Sequence, residues 1–257
     1  MKQSVFITTL LVIAIVVSCI IYFLVFGNAM NFKPDAPNVP ANIMGAIYLG
    51  GPVVIILMTL AIMVITFTIE RGLSLSKAKG RGPIETFLKK VQGYLTEGNI
   101  EAAIEECNKQ KGSIANIIRT GLERYQVVSL DPNKDKDEKL QEVQSAIEEA
   151  MMLEVPLLER NLVALSTIAT VSVLVGLFGT VVGMIRSFQA LATAGTPNAA
   201  ELSAGISEAL INTAGGLFGA IVGTLSYNFY TTKVGNLTYM IDEATYNMLQ
   251  ILAIKSK

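Results

Sequence analysis

Residues 162–185 read LVALSTIATVSVLVGLFGTVVGMI, 24 residues without an Asp, Glu, Lys or Arg. A helix rises 1.5 Å per residue, so about 20 apolar residues cross the ~30 Å hydrocarbon core of a bilayer. The stretch is therefore expected to span a membrane as a helix. Its small and hydroxyl-bearing residues set it apart from a helix that faces only lipid. At about 100° per residue, Ser166, Thr170, Val173, Leu177, Thr180, Met184 and Ser187 share one stripe. Gly176, Gly179 and Gly183 form the stripe beside it. Small residues at this spacing let helix backbones approach closely in lipid. One face is expected to pack tightly while its neighbour offers hydroxyls. Each hydroxyl can also bond back to a carbonyl of its own helix.

Three further runs, 5–26, 46–69 and 209–229, are equally free of charge. Four transmembrane helices follow. The first run is longer than the 7–15 apolar residues of a usual secretory signal, so it is expected to be retained although Gly27-Asn28-Ala29 would suit cleavage. Charged residues are only 16% of the chain, against about 25% in soluble domains. The basic residues set an orientation. Arg71, Lys77, Lys79 and Arg81 follow the second run, Arg160 precedes the third, and Lys233, Lys255 and Lys257 follow the fourth. The loop 27–45 holds only Lys33, and 191–207 holds none. Both termini and the middle of the chain are expected on the cytoplasmic side.

The division that results is a first transmembrane helix over 1–26, a periplasmic loop over 27–45, a second helix over 46–69 and a cytoplasmic helical domain over 70–160. Pore-lining helices three and four fill 161–232 with a short periplasmic loop, and 233–257 is a cytoplasmic tail. In the polar middle, Phe87, Leu88, Val91, Tyr94 and Leu95 recur at helical spacing, as do Ile114, Ile117, Ile118 and Leu122. Asp131-Pro132-Asn133 marks a turn. No Gly or turn cluster separates Leu158 from the third span, so one helix is expected from about 139 to 187.

The fourth run opens at Glu208, followed by Asn212 and Thr213, with Gly215, Gly219 and Gly223 at four-residue spacing. An ionisable group at membrane depth is costly and is usually paired or functional, although at the outer end Glu208 can also be a simple interfacial residue. Glu208 and Thr213 lie about 140° apart on the wheel, so both do not face one narrow lumen. Glu208 shares its face with Asn212 and the glycines, which suggests a buried subunit contact.

Composition also excludes classes. The chain has no His, the commonest metal ligand and general base. It has no phosphate-binding loop and no nucleophile–base pair, so neither an enzyme nor a cofactor or metal site is expected. No basic patch with interleaved aromatics points to nucleic acid. Cys19 and Cys107 sit in settings too different for a disulfide framework.

Two stretches carry a family resemblance. Gly176-Leu177-Phe178-Gly179-Thr180-Val181-Val182-Gly183-Met184 with Phe188 resembles the GLFGTVWGI…F motif of the MotA/TolQ/ExbB proton-channel family. Gly205-Ile206-Ser207-Glu208-Ala209-Leu210-Ile211-Asn212-Thr213-Ala214, with Gly216-Leu217 and then Tyr227-Asn228, resembles its second motif. Glu70-Arg71 after the second span and Gly98 to Ala103 fit it too, so the likeness covers residues 46–232. Within the family the ExbB/TolQ branch is the nearest in motif, with an additional N-terminal transmembrane helix here. Ile221-Val222-Gly223 stands where the family often has Ile-Pro-Ala.

The resemblance implies an all-α membrane protein with long cytoplasmic helical extensions, assembling as a ring, most often a homopentamer, in the bacterial inner membrane. It implies two enclosed copies of an ExbD- or TolR-like single-span partner, and a TonB- or TolA-like periplasm-spanning protein that receives the force. Thr180 and Thr213 would face the lumen near a proton-carrying Asp of the partner, with Thr170, Glu208 and Asn212 along the pathway. Gly176, Gly179, Gly183, Gly215, Gly219 and Gly223 would serve subunit packing. Two other readings stay open from the residues alone: a proton-coupled solute transporter and a non-conducting scaffold.

Overall fold

The computed structural model describes residues 2–34, 36–193 and 199–255. Of the expected outer loop 191–207, residues 194–198 lie outside them, as does Lys257, while 191–193 and 199–207 are helical rather than loop. The described chain is helical apart from one small hairpin. Four of its helices are long and apolar enough to cross a membrane. Two compact units emerge, Met1–Ile69 with Val163–Asn228, and Glu70–Leu162 with Phe229–Lys257.

In the first unit, α1 (Lys2–Ile20) continues through a π-helical turn, Ile21–Phe26. The loop after it folds into an antiparallel hairpin of β1 (Phe32–Lys33) and β2 (Ala36–Pro40). Asn31 is buried there and donates from Nδ2 to the carbonyls of Val25 and Phe26 at 2.6 and 3.1 Å. Those carbonyls are the acceptors that the end of a helix leaves without a partner.

The second span does not run unbroken from 46. A short helix, α2 (Ile43–Leu49), ends at Gly50, and α3 (Val53–Ala78) begins afresh. Gly51 between them has φ +73°, which glycine adopts without the Cβ penalty. Pro52 then suits a helix start, since it has no N–H to satisfy. At its other end α3 passes Ile69 and stops only at Ala78.

The N-terminal helix packs on this pair. Thr59 donates to Ser18 Oγ at 3.1 Å, and both side chains are buried. Tyr22 stacks on Tyr48 with ring centroids 4.7 Å apart and donates to the Tyr48 carbonyl at 3.0 Å.

The second unit is a helical bundle of α4 (Ile84–Glu97), α5 (Ile100–Gln110), α6 (Ser113–Ser129) and α7 (Lys136–Glu159). Its starts and stops are written locally. Gly98 takes φ +86° at the end of α4, and Asn99 caps α5 by accepting from the Ala102 N–H at 3.0 Å. Asp135 and Glu138 form a capping box on α7. Phe87, Val91 and Leu95 of α4, Ile117, Ile118 and Leu122 of α6, and Val143 and Ile147 of α7 are all buried.

Two expectations are corrected here. The helix from about 139 to 187 is two helices, α7 and α8 (Leu162–Thr193). Arg160 turns extended with ψ 138°, and Asn161 sits at φ +63°. Asn is among the few residues that enter this left-handed region. Its Nδ2 donates to Glu70 Oε2 at 3.1 Å, and Glu70 holds the buried Arg71 through two bonds of 2.6 and 2.8 Å. The fourth span and the tail, by contrast, are one helix, α9 (Ala199–Lys255). In the second unit it buries Val234, Leu237, Ile241, Met248 and Leu252 at helical spacing.

Candidate functional site

The candidate site lies in the first unit, where α8 and the first part of α9 run antiparallel. Their seam is made of small residues, and a Cβ placed on the glycines measures how close the backbones come. At Gly176 it would stand 3.0 Å from Gly216 Cα, at Gly179 2.5 Å from Asn212 Cβ, and at Gly183 2.7 Å from the Gly205 carbonyl. At Gly219 it would meet Ser172 Oγ at 2.8 Å, and at Gly223 the Ala169 Cβ at 2.8 Å. These glycines are therefore occupied within one chain, whereas the sequence reading assigned them to contacts between subunits. A helix wheel shows which face is small but not which helix covers it. Gly215 stands apart, because it looks onto Leu57 of α3 at 3.2 Å. Gly216, beside it, is the residue on the seam: its Cβ would come within 2.6 Å of the Ser172 carbonyl.

Thr180 and Thr213 meet across this seam. Their hydroxyls are hydrogen-bonded to each other. One hydroxyl donates to the other, and each also lies within reach of a carbonyl of its own helix, Thr180 of Gly176 at 3.2 Å and Thr213 of Ala209 at 3.1 Å. The proton that is not shared across the pair is free to take such an acceptor. Both side chains are half-buried, and apolar Leu177, Val181, Leu210 and Leu217 are exposed on the same two helices. A hydroxyl pair with some open surface can donate to or accept from a further polar group, and Thr does not titrate in the accessible range. Thr170 is not part of this pair. It is exposed on α8, about 15 Å along the helix from Thr180, and bonds back to the Ser166 carbonyl at 3.1 Å.

Glu208 and Asn212 point elsewhere, into the junction between α2 and α3. Asn212 is fully buried and donates to the Gly50 carbonyl at 2.9 Å. Glu208, 6% exposed, receives a 2.6 Å hydrogen bond from Arg186 of α8. A Cβ on Gly51 would sit 2.7 Å from Glu208 Oε1, so the break between α2 and α3 is also what makes room for this carboxylate. The guanidinium is half-exposed while the carboxylate is enclosed. Pairing makes a charge tolerable at membrane depth.

Sequence reasoning missed Arg186. It lies one residue beyond the charge-free run, 22 residues before Glu208. Because α8 and α9 run antiparallel, positions 186 and 208 stand level, and that count was the available signal. Ser172 was missed as well. It is buried, bonds back to Ile168 at 2.7 Å, and places its backbone against Gly216. Among the described residues no group of His, Cys, Asp and Glu is placed to hold a metal ion.

Residues 109–243 match the model of the MotA/TolQ/ExbB proton channel family. The chain is 38% identical over 120 residues to the Tol-Pal system protein TolQ of Pseudomonas aeruginosa, covering 47% of this chain and 52% of that protein. It is 38% identical over 93 residues to the biopolymer transport protein ExbB of Salmonella typhimurium, 36% of this chain and 37% of that one. With ExbB of Pseudomonas putida it shares 30% identity over 204 residues, 77% of this chain and 59% of the other. The chain thus spans about half the length of the relatives it matches. By these likenesses and by its motif-bearing helices α8 and α9, the chain belongs to the MotA/TolQ/ExbB proton channel family.

Proposed function

We propose that this chain is the channel and stator subunit of a motor driven by the proton gradient across a bacterial inner membrane. In this reading it sits with both termini in the cytoplasm and assembles as a homopentamer around two single-span helices of an ExbD- or TolR-like partner. The observation that carries it is the Thr180–Thr213 pair, two hydroxyls facing each other on neighbouring membrane helices within the family's two motifs. The partner's helix would bring an Asp to this pair. When a proton from the outer side binds that Asp, the cost of a charge in an apolar lumen is relieved. The threonines orient water and the neutral acid by hydrogen bonding, and the partner helices advance past successive subunits. Force then passes to a TonB- or TolA-like protein that reaches the outer membrane.

Three features support a motor rather than a solute transporter. α8 and α9 run unbroken through their apolar stretches, whereas transporter sites are commonly built where helices are interrupted. The one buried carboxylate of the site is already paired with Arg186, which leaves the moving charge to a partner. A collar without conduction would need the small seam but not the threonine pair. The test is to co-express the chain with an ExbD/TolR-like protein and determine the mass of the complex in detergent. Five copies with two partner helices support the reading; a monomer or dimer that ignores the partner contradicts it.

A further inference from the structure

A polar cavity, outside the motif helices' seam, lies in the second unit between the end of α3 and α9. Its volume is about 480 Å³. Gly72, Ser76 and Lys79 present one face of α3, and Tyr230, Lys233 and Asn236 present one face of α9. Gly72, without a side chain, lets the Tyr230 hydroxyl come close to α3 at the edge of the cavity: a Cβ there would stand 2.9 Å from it. Both lysines are exposed, and neither enters an ion pair among the described residues. No Asp or Glu lines the cavity. Lys233 lies over the Phe229 ring, 4.3 Å from its centroid, a cation–π contact that favours this position of the ammonium beside the cavity.

The lining is two-natured. Two ammonium groups, two hydroxyls and an amide stand together with the apolar Leu75, Leu237 and Met240. The position is also informative. Gly72 lies three residues beyond the charge-free run 46–69, and Phe229 is the last residue of the run 209–229. That is the depth at which lipid phosphates meet the acyl region. We propose that this cavity binds the headgroup of an anionic phospholipid, with Lys79 and Lys233 on the phosphate, Ser76 and Asn236 on polar headgroup oxygens, and the apolar side chains on the glycerol and first methylenes. A soluble phosphate would use the lysines but gain nothing from the apolar walls.

The test uses the full chain, delipidated in detergent and examined by native mass spectrometry after addition of phosphatidylglycerol, phosphatidylcholine or inorganic phosphate. Phosphatidylglycerol should be retained in preference to phosphatidylcholine. K79Q/K233Q should weaken that retention roughly 30-fold, the loss expected for two lysines near an anionic surface. K79R/K233R should keep it, which separates charge from folding. K77Q/R81Q removes the same charge near the membrane but outside the cavity and should leave retention unchanged. Equal retention of the two lipids, or an equal loss in K77Q/R81Q, would overturn the proposal in favour of diffuse surface attraction. Displacement of the lipid by millimolar phosphate would overturn it in favour of a soluble-anion site.

Discussion

The seam between α8 and α9 and the core of the second unit are both closely packed, yet from opposite materials. The seam brings together Gly176, Gly179, Gly183, Gly216 and Gly223 with Ser172 and Ala169, and its contacts are largely backbone on backbone. The core of the helical bundle is filled by Phe87, Leu95, Ile117, Leu122 and Ile147, while its outer surface carries ion pairs such as Arg124–Glu142 at 2.7 Å and Lys90–Glu106 at 2.8 Å. In water, removing large apolar side chains from solvent drives association. In lipid that gain is absent, because the tails are as apolar as Leu, and close approach with hydrogen bonding takes its place. The same chain thus changes its packing rule at the border between the two units.

That contrast can be broken from either side. Gly179→Leu should have the largest effect, because even its first carbon would stand 2.5 Å from Asn212 Cβ. It should cost about 3 kcal/mol or more and lower the yield of folded protein in detergent. Leu122→Ala in the bundle should cost about 2–5 kcal/mol through the cavity it leaves, and Leu122→Met less than about 1.5 kcal/mol. Thermal unfolding of the full chain followed by circular dichroism checks all three. A Gly179→Leu protein as stable as Leu122→Met would mean that the seam is loose.

Arg186 and Glu208 sharpen the comparison, since they are a charge pair at membrane depth. The two halves are not equivalent. Arg186→Gln leaves an enclosed carboxylate without its partner, whereas Glu208→Gln leaves a half-exposed guanidinium that can reach water. Arg186→Gln should therefore unfold at the lower temperature, and Arg186→Gln/Glu208→Gln should recover part of the loss. Equal midpoints for the two single variants would show that the pair is solvated on both sides.

Asn161→Ala tests the joint between α7 and α8. It places a Cβ residue without Asn's local bonding at φ +63° and removes the bond to Glu70. A loss of about 1–2 kcal/mol is expected from the backbone alone. Asn161→Gly should restore the backbone portion but not the bond to Glu70, so its midpoint should fall between those of the Ala variant and the native chain.

The smallest effect concerns Cys107. It is buried in the bundle, and burial pushes its thiol up to about 12. A pKa raised above the ordinary value means that the neutral thiol persists across the range from pH 7 to 9. In a Cys19→Ser background, maleimide should leave Cys107 unmodified in the folded protein throughout that range and label it once denaturant opens the bundle. Rapid labelling at pH 9 without denaturant would contradict the tight core.

Much of this was legible in the sequence, because the signals were long. Four runs of about 20 residues without charge gave the spans, and repeats such as Ile114, Ile117, Ile118 and Leu122 gave the bundle. What escaped was decided by single residues or by partners. The break at Asn161 rests on one left-handed residue and a bond to Glu70, 91 positions away. The break at Gly50-Gly51-Pro52 did have a turn signal, but it lay hidden inside an apolar run. The continuation of α9 to Lys255 was present as Val234, Leu237, Ile241, Met248 and Leu252 at helical spacing. At the site, the small faces and the hydroxyl positions were readable, and the helix that covers each face was not. Arg186 stood one residue outside the run being read.

The most direct test of the account is proton flux. The chain and an ExbD/TolR-like partner would be reconstituted together in liposomes with a pH-sensitive dye inside and a potassium diffusion potential across the membrane. Thr180→Val/Thr213→Val keeps the volume and removes both hydroxyls. The account predicts proton uptake in the native complex and roughly a 30-fold reduction in the double variant, about what two lost hydrogen bonds near 1 kcal/mol each would give. Undiminished flux in that variant, with the complex intact, would contradict it.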